Sequence, residues 1–306
     1  MNERDLRELP WRVPAACTVL LVQGADTRAL LHRISSRELE DLPAGEARAT
    51  VFCDYRGRML HAAHALGTPQ GVLLVRDDAP GTDLLAWVDR HVFREDCRVA
   101  DLTPRWGLRH AWGPRAAGWR ESQGLAVEGA RGAAPDAWIL GAGPTLLWAV
   151  GEAAALESTL GAAGPSGVPE ERARIEAGWP GHGREVCAEF NPYEVGLAHR
   201  VHLAKGCYTG QEALQRLVSY SSVRRRLVRV SGAGPPPAPL PLELWWGEER
   251  GGRLTSAAPT EDRGWIGLAV VPRSWPLGET RLGPGPANAD WIAEALEEST
   301  PLGRRR

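Results

Sequence analysis

Lys205-Gly206-Cys207-Tyr208-Thr209-Gly210-Gln211-Glu212, followed by Ala213, Leu214, Leu217 and Val218 at helical spacing, is the segment on which the reading of this sequence turns. Physically it is a helix start. Thr209 is placed to accept a hydrogen bond from the backbone of Glu212 while the Glu212 carboxylate reaches back to Thr209, the reciprocal pattern of a capping box. Cys207 then lies two residues before the cap. A thiol near the positive end of a helix, with Lys205 two positions upstream, has two reasons to ionise more readily than a free cysteine of pKa about 8.5. It is suited to act as nucleophile, redox centre or transient metal ligand. Gly206 and Gly210 remove side chains on both sides, so a ligand or a neighbouring backbone can come close. The pattern alone fits equally well a small buried cysteine ahead of an ordinary capped helix.

Composition narrows the setting. The chain has 306 residues, 43% of them hydrophobic, enough for a well-buried core in two or three packed units. A formal net charge of -2, from 36 basic and 38 acidic side chains, lacks the electrostatic footprint of a phosphate-backbone binder, so direct nucleic-acid binding is not expected. No apolar run reaches the roughly 18 residues that span a bilayer, and Met1 to Pro10 is charged; a cytosolic location without a membrane partner is the expectation. The five cysteines, Cys17, Cys53, Cys97, Cys187 and Cys207, form no CxxC pair and no zinc spacing, so free thiols and no permanently bound metal are expected. Lys205 is the only lysine among 36 basic residues. A compact ammonium where arginine is used everywhere else points to a narrow site or to coding bias.

Along the chain, Cys17 to Val22, Ala49 to Cys53 and Val72 to Val75 read as strands, and Ala25 to Ile34 as a helix preceded by Asp26. Leu84 to Phe93 continues this mixed α/β layer. Asp54-Tyr55-Arg56-Gly57-Arg58 reads as a tight turn between strands. Residues 106–167 are rich in glycine and alanine, with short apolar runs at Trp138 to Leu140 and Thr145 to Val150. A helix from Pro169 to Ala177 must end at Gly178-Trp179-Pro180-Gly181. Val223 to Val230, Leu242 to Trp246 and Trp265 to Val271 read as strands of a small all-β unit, with Pro235 to Pro241 a stiff connector.

The octapeptide 205–212 resembles the signature of the YgfZ/GcvT-like folate-binding family, which includes the glycine-cleavage aminomethyltransferase. Arg174-Ile175-Glu176-Ala177-Gly178-Trp179-Pro180 and Asn191-Pro192-Tyr193-Glu194-Val195-Gly196-Leu197 are similar to the two blocks that precede it. Gly24-Ala25-Asp26 and Cys53-Asp54-Tyr55-Arg56-Gly57-Arg58-Met59 fall in the expected order, so the resemblance covers most of the chain and is weakest between Trp106 and Pro169.

That resemblance implies an α+β, three-part, cloverleaf-like fold of aminomethyltransferase type. Residues 1–105 would form an N-terminal α/β lobe, residues 106–221 a second lobe carrying the signature, and residues 222–306 a C-terminal β-barrel. It implies tetrahydrofolate or a derivative as cofactor, with Glu194 as the carboxylate that receives the pterin N–H donors. Trp179 and Tyr193 would supply flat walls, and Tyr208 and Gln211 would shape the pocket. Cys207 and Lys205 are the residues expected to carry chemistry, with Lys205 biasing the thiol toward thiolate.

In the aminomethyltransferases that this chain resembles, an acidic pair follows the glycine turn. Here Gly57-Arg58-Met59-Leu60 runs into His61-Ala62-Ala63-His64, so amine transfer lacks its expected base. On a strand His61 and His64 would face opposite sides, which argues for structural or exposed positions over a shared metal. The leading reading is a folate-binding accessory factor for assembly or repair of iron–sulfur enzymes, whose client enzymes or assembly proteins would be its partners. The alternatives are a folate-dependent aminomethyl or methyl transferase and a non-catalytic folate-binding regulatory module.

Overall fold

The computed structural model describes residues 3–77, 79–80, 82–165, 167–278, 282–286 and 290–303. They gather into two compact units. The first comprises Met1–Phe52, His61–Gly167 and Lys205–Thr209; the second comprises Cys53–Leu60, Val168–Ala204 and Gly210–Arg306.

In chain order the first stretch runs α1 (Glu3–Arg7), β1 (Cys17–Gln23), α2 (Thr27–Ile34), β2 (Ala47–Cys53), β3 (Met59–Thr68), β4 (Gly71–Asp77), α3 (Thr82–Asp89) and β5 (Arg98–Asp101). The five strands form one sheet in the order β2-β3-β4-β1-β5. Val72, Leu73, Leu74 and Val75 of β4 are all buried and pair antiparallel with Val22, Leu21, Leu20 and Val19 of β1. An uninterrupted apolar run of this length fits a strand covered on both faces. The α2 helix buries Leu30, Leu31 and Ile34.

The sequence reading passes over β3, and the two histidines explain why. His61 packs edge-on to Phe52 and Trp87, with ring centroids 6.4 and 6.0 Å away, and its Nδ1 lies 3.1 Å from Arg76 Nη1. His64 packs against Trp148 at 4.5 Å. Three residues apart on a strand, the two rings serve opposite faces as structural members of the core.

A second sheet of the same unit follows: β6 (Trp106–Trp112), α4 (Pro114–Ser122), β7 (Ala130–Ala134), β8 (Ala137–Gly143), β9 (Leu146–Glu152) and α5 (Ala153–Leu160), with strand order β6-β9-β8-β7. Its core joins Trp11, Trp119, Ile139, Leu147 and Leu156. Glycine here serves close approach: a Cβ on Gly151 would lie 2.3 Å from the Asp136 carbonyl oxygen.

The second unit contains α6 (Val168–Glu176), a 3-10 turn (Ala198–Arg200), α7 (Gln211–Ser219), β10 (Arg225–Ala233), β11 (Leu242–Trp246), β12 (Glu249–Pro259), β13 (Gly264–Pro272), β14 (Leu282–Gly283) and β15 (Ile292–Ala295). Its strands form a six-stranded half-barrel in the order β14-β11-β12-β13-β10-β15. Val228, Val230, Leu244, Leu254, Trp265 and Trp275 fill the core. The β12 strand goes unread in the sequence because it opens on Glu249-Arg250-Gly251-Gly252. Gly252 is needed there, since a Cβ would come within 2.8 Å of the Trp275 ring.

A buried ion pair joins α6 to β12. The Glu185 carboxylate is fully buried and accepts from Arg174 Nη1 (3.2 Å), Gly181 N (2.7 Å), Thr255 Oγ1 (2.5 Å) and Ser256 Oγ (2.6 Å). A buried charge is tolerated only when its lone pairs are filled in this way. Glu185→Ala leaves Arg174 buried without this partner, and urea unfolding should register a loss of about 3 kcal/mol; a loss under about 1 kcal/mol would mean that the pair does not hold the helix to the sheet.

Candidate functional site

The signature segment does not form the expected capping box. Helix α7 begins at Gln211, with Gly210 as its N-cap in the left-handed conformation (φ 85°) and no side-chain capping bond. A Cβ at Gly210 would lie 2.5 Å from the Asp54 carbonyl oxygen, so the Asp54–Arg58 turn excludes every residue but glycine and moves the cap one position on. The box spacing from Thr209 to Glu212 is therefore out of register. Glu212 pairs instead with Arg216 one turn later at 2.5 Å, on the exposed face. That turn is itself built as read: Asp54 Oδ1 accepts from the amides of Arg56 (2.9 Å) and Arg58 (2.8 Å), with Gly57 at φ 74°. Leu214 of α7 packs on Gly57.

Lys205, Cys207 and Tyr208 lie in the first unit, on the loop ahead of α7. Cys207 is exposed. Burial raises the thiols of Cys17, Cys53, Cys97 and Cys187. Lys205 is buried, at 8% exposure, and its Nζ donates to the His32 carbonyl oxygen. In return His32 Nε2 lies 3.0 Å from the Lys205 carbonyl oxygen. Burial pulls Lys205 down to about 7 against the opposing pull of Glu38 and Glu40. Its Nζ stands 4.9 Å from the Tyr208 ring centroid. His32 Nδ1 is 2.6 Å from Glu38 Oε1. His32, Glu38 and Glu40 bring their ligand atoms within 4.8 Å of one another, a donor set that a hard or borderline divalent cation accepts.

Trp179, Tyr193, Glu194 and Gln211 lie in the second unit. Glu194 is buried, and both carboxylate oxygens are engaged. Arg225 Nε donates to Oε1 at 2.8 Å and Arg225 Nη2 to Oε2 at 3.1 Å, the fork geometry of a bidentate pair. Oε2 also accepts from Asn191 N (3.1 Å) and Arg58 Nη1 (3.4 Å). Asn191 Oδ1 accepts from the Tyr193 amide at 3.0 Å. The Tyr193 ring is buried, which raises its phenol, and its hydroxyl has no hydrogen-bond partner among the described residues. Trp179 carries the Arg200 guanidinium over its ring at 4.9 Å, so one face of this expected wall is already covered. Gln211 is the first residue of α7, and its Nε2 reaches the Leu203 carbonyl oxygen at 3.5 Å.

Sequence reasoning passed over His32, Asn191, Arg58 and Arg225 as functional neighbours. Asn191 reads only as a breaker before Pro192, and Arg58 as a turn residue. Nothing in local spacing pairs His32 with a lysine 173 residues away.

The comparisons with known proteins bear on this arrangement. The glycine cleavage system aminomethyltransferase T from Bartonella henselae superposes on 95% of this chain and 86% of its own, with a TM-score of 0.75 at 18% identity. The chain has the aminomethyltransferase fold. By sequence it is 26% identical over 286 residues to the aminomethyltransferase of Thermotoga maritima, across 85% of this chain and 77% of that one. It is 28% identical over 233 residues, 70% of this chain and 54% of the other, to a chloroplastic Arabidopsis thaliana protein whose name assigns it provisionally to the transferases. The chain thus spans about half the length of that relative. No protein-family model matches. Among the described residues no helix is long and apolar enough to cross a membrane.

On this fold the ammonium of Lys205 has a measurable signature. With its pKa lowered from 10.5 to about 7 on folding, the unfolded chain binds the extra proton between those values. This group therefore makes stability rise with pH from about 7 toward 10.5, and the gain is lost as pH falls back to 7. Urea titrations of wild type and Lys205→Met across that range should diverge by up to about 1.4 kcal/mol per pH unit; parallel profiles would place the lysine in water.

Proposed function

We propose that this protein binds a reduced folate on its aminomethyltransferase fold and presents the Cys207 thiol for assembly or repair of iron–sulfur enzymes, in a cytosolic setting. The observation that carries the reading is an exposed thiol on a glycine-bounded loop, in a chain whose 57–64 segment offers no carboxylate for amine transfer. The two histidines of that segment pack against aromatic rings, and His61 Nδ1 lies 3.1 Å from Arg76 Nη1.

The second unit supplies groups that fit a pterin. Glu194 is a buried acceptor of the kind that ring N–H and amino donors need, and the Tyr193 hydroxyl next to it in the chain, without a partner among the described residues, is a buried polar group that a ligand would satisfy. Of the four donors on Glu194, Arg58 is the most distant, at 3.4 Å, and is the contact a ligand would displace at least cost. When bound, tetrahydrofolate supplies a carrier for one-carbon units. The protein's part is to orient the ring, exclude water around Glu194 and hold the Cys207 loop. A cluster takes several thiolate ligands, so any iron–sulfur species would also need a partner or a small thiol.

The transferase reading is favoured by the names of the two relatives, each a transferase. Folate-dependent release of ammonia from an aminomethyl donor would establish it in place of the accessory role.

Titration of the purified protein with tetrahydrofolate should quench tryptophan fluorescence saturably. Glu194→Gln, which keeps the side-chain shape while removing the charge, should weaken binding by roughly 10-fold or more, the weight of a charge-assisted hydrogen bond. No binding into the millimolar range would remove folate from the proposal. Cys207→Ser should fail to complement a strain lacking the native gene; full complementation would sink the thiol's role.

A further inference from the structure

We propose that His32 is a positioning residue for Cys207: through a reciprocal clamp with Lys205 it sets the backbone of the Lys205–Thr209 loop on which the thiol stands. The inference rests on the reading of Cys207 as the working thiol.

The clamp consists of two hydrogen bonds that run in opposite directions between the same two residues. Lys205 Nζ donates to the His32 carbonyl oxygen. That oxygen belongs to the last turn of α2, where carbonyls lack helical partners and the helix dipole favours a cation. His32 Nε2 answers to the Lys205 carbonyl oxygen at 3.0 Å. A carbonyl only accepts, so Nε2 carries a proton. On the other edge of the ring Nδ1 lies 2.6 Å from Glu38 Oε1.

The loop is shaped to receive this grip. Gly206 takes φ 102°, and a Cβ on it would stand 3.8 Å from His32 Nε2, in van der Waals contact with the ring. Lys205 and Tyr208 are buried, while Gly206 and Cys207 are exposed. The ammonium over the Tyr208 ring at 4.9 Å draws in both residues that bracket the exposed pair. Pulling these two positions inward turns the thiol outward. A lysine suits this place better than the arginine used elsewhere in the chain, because a single buried carbonyl accepts a point donor rather than a planar fork.

The test uses the full-length protein and follows amide hydrogen exchange in the 205–209 segment. His32→Leu deletes one bond of the clamp and should raise exchange roughly tenfold, as the loss of a buried hydrogen bond implies. His32→Gln, which keeps an N–H donor, should stay within about twofold of wild type and restore Cys207-dependent complementation that His32→Leu loses. Lys205→Met deletes the opposing bond; paired with His32→Leu it should add little further exchange, because residues acting as one unit are not additive. It also serves as the probe if His32→Leu fails to fold. Wild-type exchange in both single variants would overturn the clamp, whatever Cys207→Ser does. Raised exchange together with a silent Cys207→Ser would instead remove the working thiol and with it the positioning role. If zinc or ferrous ion alone slows loop exchange in wild type but not in Glu40→Gln, then His32, Glu38 and Glu40 form a cation site, and the clamp is overturned in its favour.

Discussion

Four hydrogen bonds converge on the Glu194 carboxylate, and they come from parts of the chain far apart in sequence. Arg58 arrives from the turn between β2 and β3, Arg225 from the first residue of β10, and Asn191 from the loop that carries Glu194 itself. The same two guanidinium groups also donate to the Glu189 carbonyl oxygen, and Arg225 covers the Phe190 ring at 5.0 Å. The 189–194 loop is thereby pinned at both ends, and the Met59 amide adds a bond to the Phe190 carbonyl oxygen at 3.0 Å. A buried carboxylate with its acceptor sites filled is stable only while the surrounding backbone holds its donors in place. Much of the second unit's order around the candidate ligand residues follows from that requirement.

Buried charge is used differently in the two units. Glu185 and Glu194 are surrounded by hydrogen-bond donors. Lys205 has a single carbonyl for its ammonium and pays for burial with a pKa near 7. The first arrangement favours rigidity. The second leaves an amine whose pKa is pulled toward neutrality two residues along the chain from the exposed thiol.

The fold alone does not choose between amine transfer and an accessory role, since one scaffold hosts many chemistries. Where the resemblance leads one to expect an acidic pair, this chain sends Arg58 to Glu194 and uses His61 and His64 to pack against aromatic rings.

The sequence by itself determined the strands made of unbroken apolar runs, such as 72–75 and 265–271, because burial on both faces leaves a pattern that needs no partner to be read. It also determined the Asp54–Arg58 turn, whose bonds are local. It could not determine β7 or β12, where glycine, alanine and charged residues are in strands only because neighbouring strands supply the ladder. The helix start after Cys207 was legible to within one residue, and the cap was misplaced because the Asp54 carbonyl oxygen, far upstream, leaves room only for glycine at position 210. Tertiary structure alone decided that Lys205 meets His32 and that Arg225 meets Glu194. Hydrogen bonds between residues distant in sequence leave no periodicity or spacing in the chain, since the distance they span is closed only by folding.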